Sequence, residues 1–316
     1  MARLSLLKKE AASPARVAEV RKFLCDPSNF VVSEAAAIAG EGNMAELVPD
    51  LVAAFDRFID DAGQTDKLCR AKNAILEALN KLDYDKADVF LRAIHYVQME
   101  PVWGRSQDTA GGLRGTAAFG LVRQGYRGII TLLADLLADS EKVARVSAIQ
   151  ALGATGSMAA VPLLRFKARS GDKEPEVICE CFTALLQLEP ESVAFVGEFL
   201  QNGVEAICEG AALALGEARR PEAFEYLRDR VPFLRQGSLQ DAVFLALSML
   251  RVPAAIDFLI EQIAVKTTAS AALTALAIHR HNERVKDRVA TAVAQMQDPA
   301  LQARLAEKFD LRGSKS

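Results

Sequence analysis

The sequence predicts an all-α protein, a solenoid of about eight to nine stacked antiparallel helical hairpins, and three observations predict it. Apolar residues recur at the i, i+3, i+4, i+7 spacing of amphipathic helices along nearly all 316 residues, with no convincing stretch of strand-like alternation. Aromatic residues make up 6% of a chain that is 51% hydrophobic, so the core is one of Ala, Leu, Val and Ile, in which helices approach closely. The helix ending Ala151-Leu152-Gly153 has counterparts at Ile38-Ala39-Gly40, Ala78-Leu79-Asn80, Gly120-Leu121-Val122, Ala184-Leu185-Leu186, Ala214-Leu215-Gly216, Ala246-Leu247-Ser248 and Ala275-Leu276-Ala277. The steps between them are about 29 to 42 residues, the range of stacked helical pairs. A repeat array of this length can form one cooperative body, so a single domain over 1–316 is expected, with a disordered tail at 310–316.

Residues 128–156 are the clearest unit. Ile129, Leu132, Leu133, Leu136 and Leu137 mark one face of a first helix, and Asp139-Ser140-Glu141 makes a short polar turn. The second helix sets Val143, Val146, Ile149 and Leu152 among small residues and ends at Gly153 and Gly156. The other hairpins are placed by the same pattern. The first pairs 14–24, with Pro14 at a favoured helix start, with 29–40. The second pairs 44–61 with 67–82 across a polar turn through Gly63, Gln64 and Thr65, and the third pairs 86–99 with 110–123. After the clear unit come 159–169 with 175–188, 191–201 with 204–218, 221–234 with 239–251, and 253–264 with 268–279. Segments 283–295 and 300–309 close the array, with Arg304, Glu307 and Lys308 on the face that a terminal repeat must keep polar.

The segment Ala144-Arg145-Val146-Ser147-Ala148-Ile149-Gln150-Ala151-Leu152-Gly153 resembles the second helix of a HEAT repeat, of the short bacterial kind also seen in phycobilisome-lyase-like proteins. Leu113-Arg114 with Ala117, Ala118 and Leu121 repeats the pattern, as does Ile207 with Gly210, Ala211, Ala212, Ala214, Leu215 and Gly216. The resemblance covers most of the chain and implies architecture more than activity. Its arginine stands at Arg114 and Arg145, becomes Lys72 in the second repeat, and gives way to Ile178, Cys208, Gln240 and Ala269 in later ones. If that arginine braces neighbouring repeats through an acidic partner, the C-terminal half must depend more on apolar packing.

Several function classes are disfavoured by composition. With 38 basic against 41 acidic residues and a formal charge of −3, spread without strong asymmetry, the chain has no polybasic footprint for nucleic acid or an anionic membrane. The N-terminal leucines are interrupted by Lys8, Lys9 and Glu10 before a signal-peptide core can form, and the apolar run 241–260 is broken by Arg251 and Pro253. Cys25, Cys69, Cys179, Cys181 and Cys208 are odd in number and show no disulfide spacing, which points to reduced thiols in a cytoplasmic protein. Cys179 and Cys181 do not share a helix face, so one is expected in the core and the other half-exposed. His95, His279 and His281 are each followed by a residue other than Glu, so the His-Glu dyads of iron-binding HEAT-type enzymes are missing. His279 and His281 are expected to favour a positive charge near a helix C-terminus. Neither a phosphate loop nor a nucleophile–base–acid set is found, so no metal, cofactor or catalytic residue is expected.

One segment departs from the template without a packing reason. His95-Tyr96-Val97-Gln98-Met99-Glu100-Pro101-Val102-Trp103-Gly104-Arg105-Ser106-Gln107-Asp108-Thr109 gives the third repeat a connection of roughly ten residues where the template uses about three. It holds the chain's one Trp, beside Arg and carboxylates, a hot-spot composition. His95, Glu100, Trp103, Arg105, Asp108 and Arg114 are therefore the candidate partner-binding residues. In the competing reading Trp103 plugs the groove between the second and third repeats while Asp108 or Thr109 caps the next helix, with Pro101 and Gly104 fixing the turn.

The favoured function is a non-catalytic protein-binding scaffold using the concave face and this loop, with a protein partner. A lyase-like enzyme or enzyme subunit related to bilin-handling HEAT proteins is the alternative that the resemblance implies. A nucleic-acid-binding helical-repeat protein is the third.

Overall fold

The computed structural model describes residues 2–11, 13–60, 65–102 and 104–309. The protein is an all-α repeat protein whose contacts group into two compact units, 1–155 and 156–316. The tail expected at 310–316 and the turn residues Gly63 and Gln64 lie outside the described residues.

In the first unit a short helix α1 (Ala2–Leu7) precedes four hairpins: α2 (Pro14–Leu24) with α3 (Asn29–Glu41), α4 (Val48–Asp60) with α5 (Arg70–Lys81), α6 (Asp88–Ile94) with α7 (Gly111–Arg123), and α8 (Ile129–Leu136) with α9 (Lys142–Ala154). Helix α1 has no counterpart in the sequence reading. Helix α2 starts as its sequence dictates, with Pro14 in its first turn and the Ser13 hydroxyl accepting the Arg16 N–H at 3.2 Å. The second helices α3, α5, α7 and α9 pack side by side in sequence order.

The second unit repeats the scheme with α10 (Ala160–Ser170) and α11 (Pro175–Leu188), α12 (Val193–Gly197) and α13 (Glu205–Ala218), α14 (Ala223–Arg230) and α15 (Ser238–Met249), and α16 (Pro253–Gln262) and α17 (Ala269–Leu276). The pair α18 (Glu283–Met296) and α19 (Pro299–Lys308) closes it. The expected helix over 191–201 is mostly 3-10 turn around the five residues of α12. Two glycines show why the second helices are rich in small residues. A Cβ on Gly40 would sit 3.0 Å from the Cα of Ala78, and one on Gly216 would sit 2.6 Å from the Cα of Ala246. Backbones that close leave no room for side chains on the crossing, and the Leu, Ile, Val and Phe around them are buried, each contributing about 1.5–3 kcal/mol.

The largest departure lies in the third hairpin. The helix predicted over 86–99 stops at Ile94, and the long connection is a β-hairpin of β1 (Met99–Val102) and β2 (Arg105–Asp108), antiparallel, with Met99 opposite Asp108 and Val102 opposite Arg105. Its two-residue turn contains Gly104 at φ +80°, a left-handed conformation that glycine adopts without strain. Pro101, expected in the turn, instead occupies a strand that pairs, among the described residues, with β2 alone.

Candidate functional site

The strands escaped the sequence reading because their pattern is inverted. Val97, Met99 and Pro101 are exposed while Gln98 and Glu100 are buried, so the alternation has polar residues inside. Buried polar atoms demand partners, and here they have them. The Glu100 Oε1 accepts from the Leu68 N–H at 2.6 Å, the Gln98 Nε2 at 2.6 Å and the Thr109 hydroxyl at 2.8 Å. Burial acts to raise the Glu100 pKa, but these three donors outweigh it and hold the carboxyl below its usual range. The Gln98 Nε2 also donates to the Asp66 carbonyl at 2.8 Å, and the Tyr96 hydroxyl donates to the Gln98 Oε1 at 3.2 Å. Burial first, then the neighbouring Cys69, Asp66 and Glu100, push that phenol up to about 12, so it remains a donor.

Two buried ion pairs flank the hairpin. Lys72 and Asp66 are both fully buried, with the Nζ 3.1 Å from the Oδ2, 3.3 Å from the Phe58 carbonyl and 5.1 Å from the centre of the Tyr96 ring. The Asp66 carboxylate also accepts the N–H groups of Ala71 and Lys72 at 2.8 and 3.0 Å, capping α5. Arg114 joins two carboxylates. Its NH1 donates to the Asp108 Oδ2 at 2.7 Å and the Tyr96 carbonyl at 2.8 Å, while its Nε and NH2 lie 2.7 and 2.8 Å from the oxygens of Asp139 in the following turn. The Asp108 Oδ1 accepts from Gln98 N at 3.0 Å and Ala110 N at 2.9 Å. Burial opposes these contacts, yet the N–H donors and Arg114 hold its carboxyl below the usual range.

This network also fixes an unusual backbone. Leu68 and Cys69 are consecutive left-handed residues at φ 59° and 52°, each costing about 1–2 kcal/mol. The Glu100 carboxylate on the Leu68 N–H holds that conformation, leaving the Leu68 side chain exposed.

Beside the hairpin runs a groove of about 300 Å³ lined by Ile94, His95, Val97, Met99, Leu132, Asp135, Leu136 and Ser140, with Asp108, Arg114 and Asp139 at its base. Val97 is 58% and Met99 57% exposed, large values for apolar side chains. The six candidate residues separate accordingly. His95 is exposed and lines the groove. Glu100, Asp108 and Arg114 are buried, and their polar atoms are used inside the protein, so they position the hairpin. The capping role expected of Asp108 is present, since it receives the Ala110 N–H ahead of α7. Trp103, and with it the idea of a Trp plug, lies outside the described residues, and Arg105 is placed only as a strand residue. Sequence reasoning missed Val97, Met99 and Leu68, whose available signal was the polar–apolar alternation from Val97 to Glu100.

Elsewhere the chemistry is quiet. Among the described residues no three His, Cys, Asp or Glu side chains are grouped to hold a metal, and no helix is long and apolar enough to cross a membrane. Burial, the largest influence in each case, pushes the thiols of Cys69 and Cys179 up to about 11 and that of Cys181 up to about 12, which keeps them protonated and poorly nucleophilic. Cys181 is in the core and Cys179 half-buried, as their helix positions require. The positive charge expected of His279 is corrected. Burial lowers its pKa first, and Arg251 adds to that against the favourable contact with the Ser248 carbonyl at 3.1 Å.

Residues 144–166 match the family model described as PBS lyase HEAT-like repeat, so the chain carries a HEAT-like repeat across α9 and the first part of α10. None of the curated proteins compared with the chain matches it. Among solved structures, the complex of CpcE and CpcF of phycocyanin lyase from Nostoc sp. PCC7120 is similar at 18% identity, over 81% of this chain and 93% of that one, with a TM-score of 0.38. An engineered protein is similar at 14% identity over 92% and 87% of the two chains, with a TM-score of 0.40.

Proposed function

We propose that the protein is a non-catalytic, protein-binding scaffold and that the insertion between α6 and α7 is its recognition element. One observation carries this reading: Val97 and Met99 are exposed beside the Leu132 and Leu136 groove, on a hairpin whose inner side is locked by buried charge-assisted hydrogen bonds. Exposed apolar side chains on a rigid frame lose little freedom when a partner covers them, which is how preorganised surfaces gain affinity. His95 and Asp135 supply polar contacts at the rim. Five unpaired thiols fit a reducing compartment, the cytoplasm.

The test is capture of partners from source cells by the full chain and by a Val97→Asp/Met99→Asp variant. A protein retained by the wild type and lost by an equally stable variant supports the reading. An identical set captured by both overturns it. The match to a PBS lyase HEAT-like repeat favours a second reading, a protein that handles a bilin. Purified protein mixed with a bilin and an acceptor protein would then show a shifted visible absorbance, and unchanged spectra count against it.

A further inference from the structure

Helices α11, α13, α15 and α17 pack side by side in the second unit, and none of them contains a Lys, Arg or His. They contain Glu176, Glu180, Glu205, Glu209, Glu217 and Asp241. Glu176, Glu205 and Asp241 lie in first turns, where negative charge complements the helix dipole. Glu209 and Glu217 lie further along, where helix stability gives no reason for them. Cations of this unit sit on first helices, such as Arg165, Lys167 and Arg169 of α10 and Arg228 and Arg230 of α14, and in the turns, such as Lys173, Arg219 and Arg251.

The carboxylates share one face. Glu176, Glu180, Thr183 and Gln187 on α11, and Glu205, Glu209, Leu213 and Glu217 on α13, follow the three- and four-residue steps of a helix side, and none is buried. Among the described residues Glu209, Glu217 and Asp241 have no cationic partner. At the crossing of α11 and α13 a Cβ on Gly210 would meet the Cys179 sulfur at 2.1 Å, so the two helices are in close contact there. The Cys179 thiol is pushed up to about 11 by burial first and then by Glu180, Glu176 and Glu209, so three carboxylates act on one point of the face. A groove of about 170 Å³ opens between the same two helices, lined by Thr183, Leu186, Gln187, Ala214, Glu217 and Ala218, with exposed Leu213 on the same face.

We propose that this face of α11, α13 and α15 is a docking surface for a Lys/Arg-rich polypeptide segment, whose cations face Glu209, Glu217 and Asp241 while one apolar side chain enters the groove. The argument is charge complementarity. A broad helix face with carboxylates and no cation attracts a basic segment at long range and repels an acidic one. The groove gives the segment a fixed register that charge alone does not.

The experiment measures fluorescence anisotropy of a short labelled peptide of lysines and arginines with one leucine, titrated with the full chain. The wild type binds, more weakly as salt rises, and Glu209→Gln/Glu217→Gln/Asp241→Asn weakens binding about tenfold or more, a difference of about 1.4 kcal/mol. A control with the same charge change on the first-helix side, Glu222→Gln/Glu225→Gln/Asp229→Asn, and the hairpin variant Val97→Asp/Met99→Asp keep wild-type affinity. Bound peptide also slows alkylation of Cys179 in the wild type. Failure of the wild type to bind, a triple variant that binds equally well, or an equal loss in either control overturns the proposal. The hairpin reading stands or falls separately.

Discussion

Lys72, Arg114 and Arg145 occupy the third or fourth residue of their second helices, and Ile178, Cys208, Gln240 and Ala269 take the corresponding place in the second unit, or close to it. In the last three hairpins of the first unit that place is basic, and in the first it is Val32. Lys72 ties back to Asp66, and Arg114 spans from Asp108 in its own repeat to Asp139 in the next. In the first two hairpins of the second unit the Asp or Asn six residues earlier persists while the second-helix cation has gone. Asp172 still turns onto the Glu174 N–H and Asn202 onto the Val204 N–H, both at 2.9 Å, and Lys167 of the first helix pairs with Asp172 at 2.8 Å. The same repeat geometry is therefore held in the first unit by buried charge reaching back from the second helices, whereas in the second unit the second helices offer apolar and neutral contacts and the cation paired at such a turn, Lys167, comes from a first helix. Buried charge is a poor source of net stability but a strong constraint on geometry, because each partner is costly without the other. It is found where a hairpin with an inverted polar pattern has to be supported.

The largest effect should come from breaking that constraint. Asp66→Ala leaves Lys72 charged and fully buried and uncaps α5, so a loss of about 3–5 kcal/mol is expected, read by urea unfolding, with hydrogen exchange rising in α5 and the hairpin rather than in the second unit. A loss below about 1 kcal/mol would mean that the pair is not sealed from water. The second unit should respond instead to volume. Gly216→Ala places a methyl 2.6 Å from the Ala246 Cα and 2.7 Å from its carbonyl oxygen, and overpacking of this kind costs about 1–3 kcal/mol. Thermal unfolding checks it, and an unchanged midpoint would show that α13 and α15 can slide apart freely. A neutral tie gives the next step down. Ser248, buried, donates to the Ala275 carbonyl at 2.7 Å, and Ser248→Ala should cost about 1 kcal/mol, well under the cost of Asp66→Ala; equal costs would erase the distinction between the two units.

Much of this was legible. Helix periodicity and small-residue crossings placed all nine hairpins, because a stacked repeat has only its neighbours to bury against. The loss of the basic residue in later repeats was visible, and so was its consequence. What escaped was local. The segment from Val97 to Glu100 alternates, but a search for buried apolar residues discards a strand whose buried side is Gln98 and Glu100. The candidates Glu100, Asp108 and Arg114 were selected for charge, and charge does not reveal which way a side chain points. The six-residue spacing of Asp66 to Lys72 and of Asp108 to Arg114 was present in the sequence and would have paired them.

The smallest effect is the most specific, because it separates charge from hydrogen bonding at one residue. Glu100→Gln keeps an oxygen for the Leu68 N–H and removes only the negative charge, which makes those bonds neutral and costs about 1 kcal/mol at neutral pH. The folded-state pKa of Glu100 is depressed, so its contribution is complete above the unfolded value near 4.5 and declines as pH falls through the lower folded value. Asp108, depressed below 3.8, declines in the same direction. Acid should therefore loosen the hairpin region earlier than a Glu100→Gln protein would show, and the variant's stability should approach the wild type's once the wild-type carboxyl is protonated. Denaturant unfolding between about pH 7 and pH 3 reads both curves. If they stay parallel across that range, Glu100 contributes no charge-dependent stability, and the contrast between an ionic and an apolar unit rests on Asp66 and Arg114 alone.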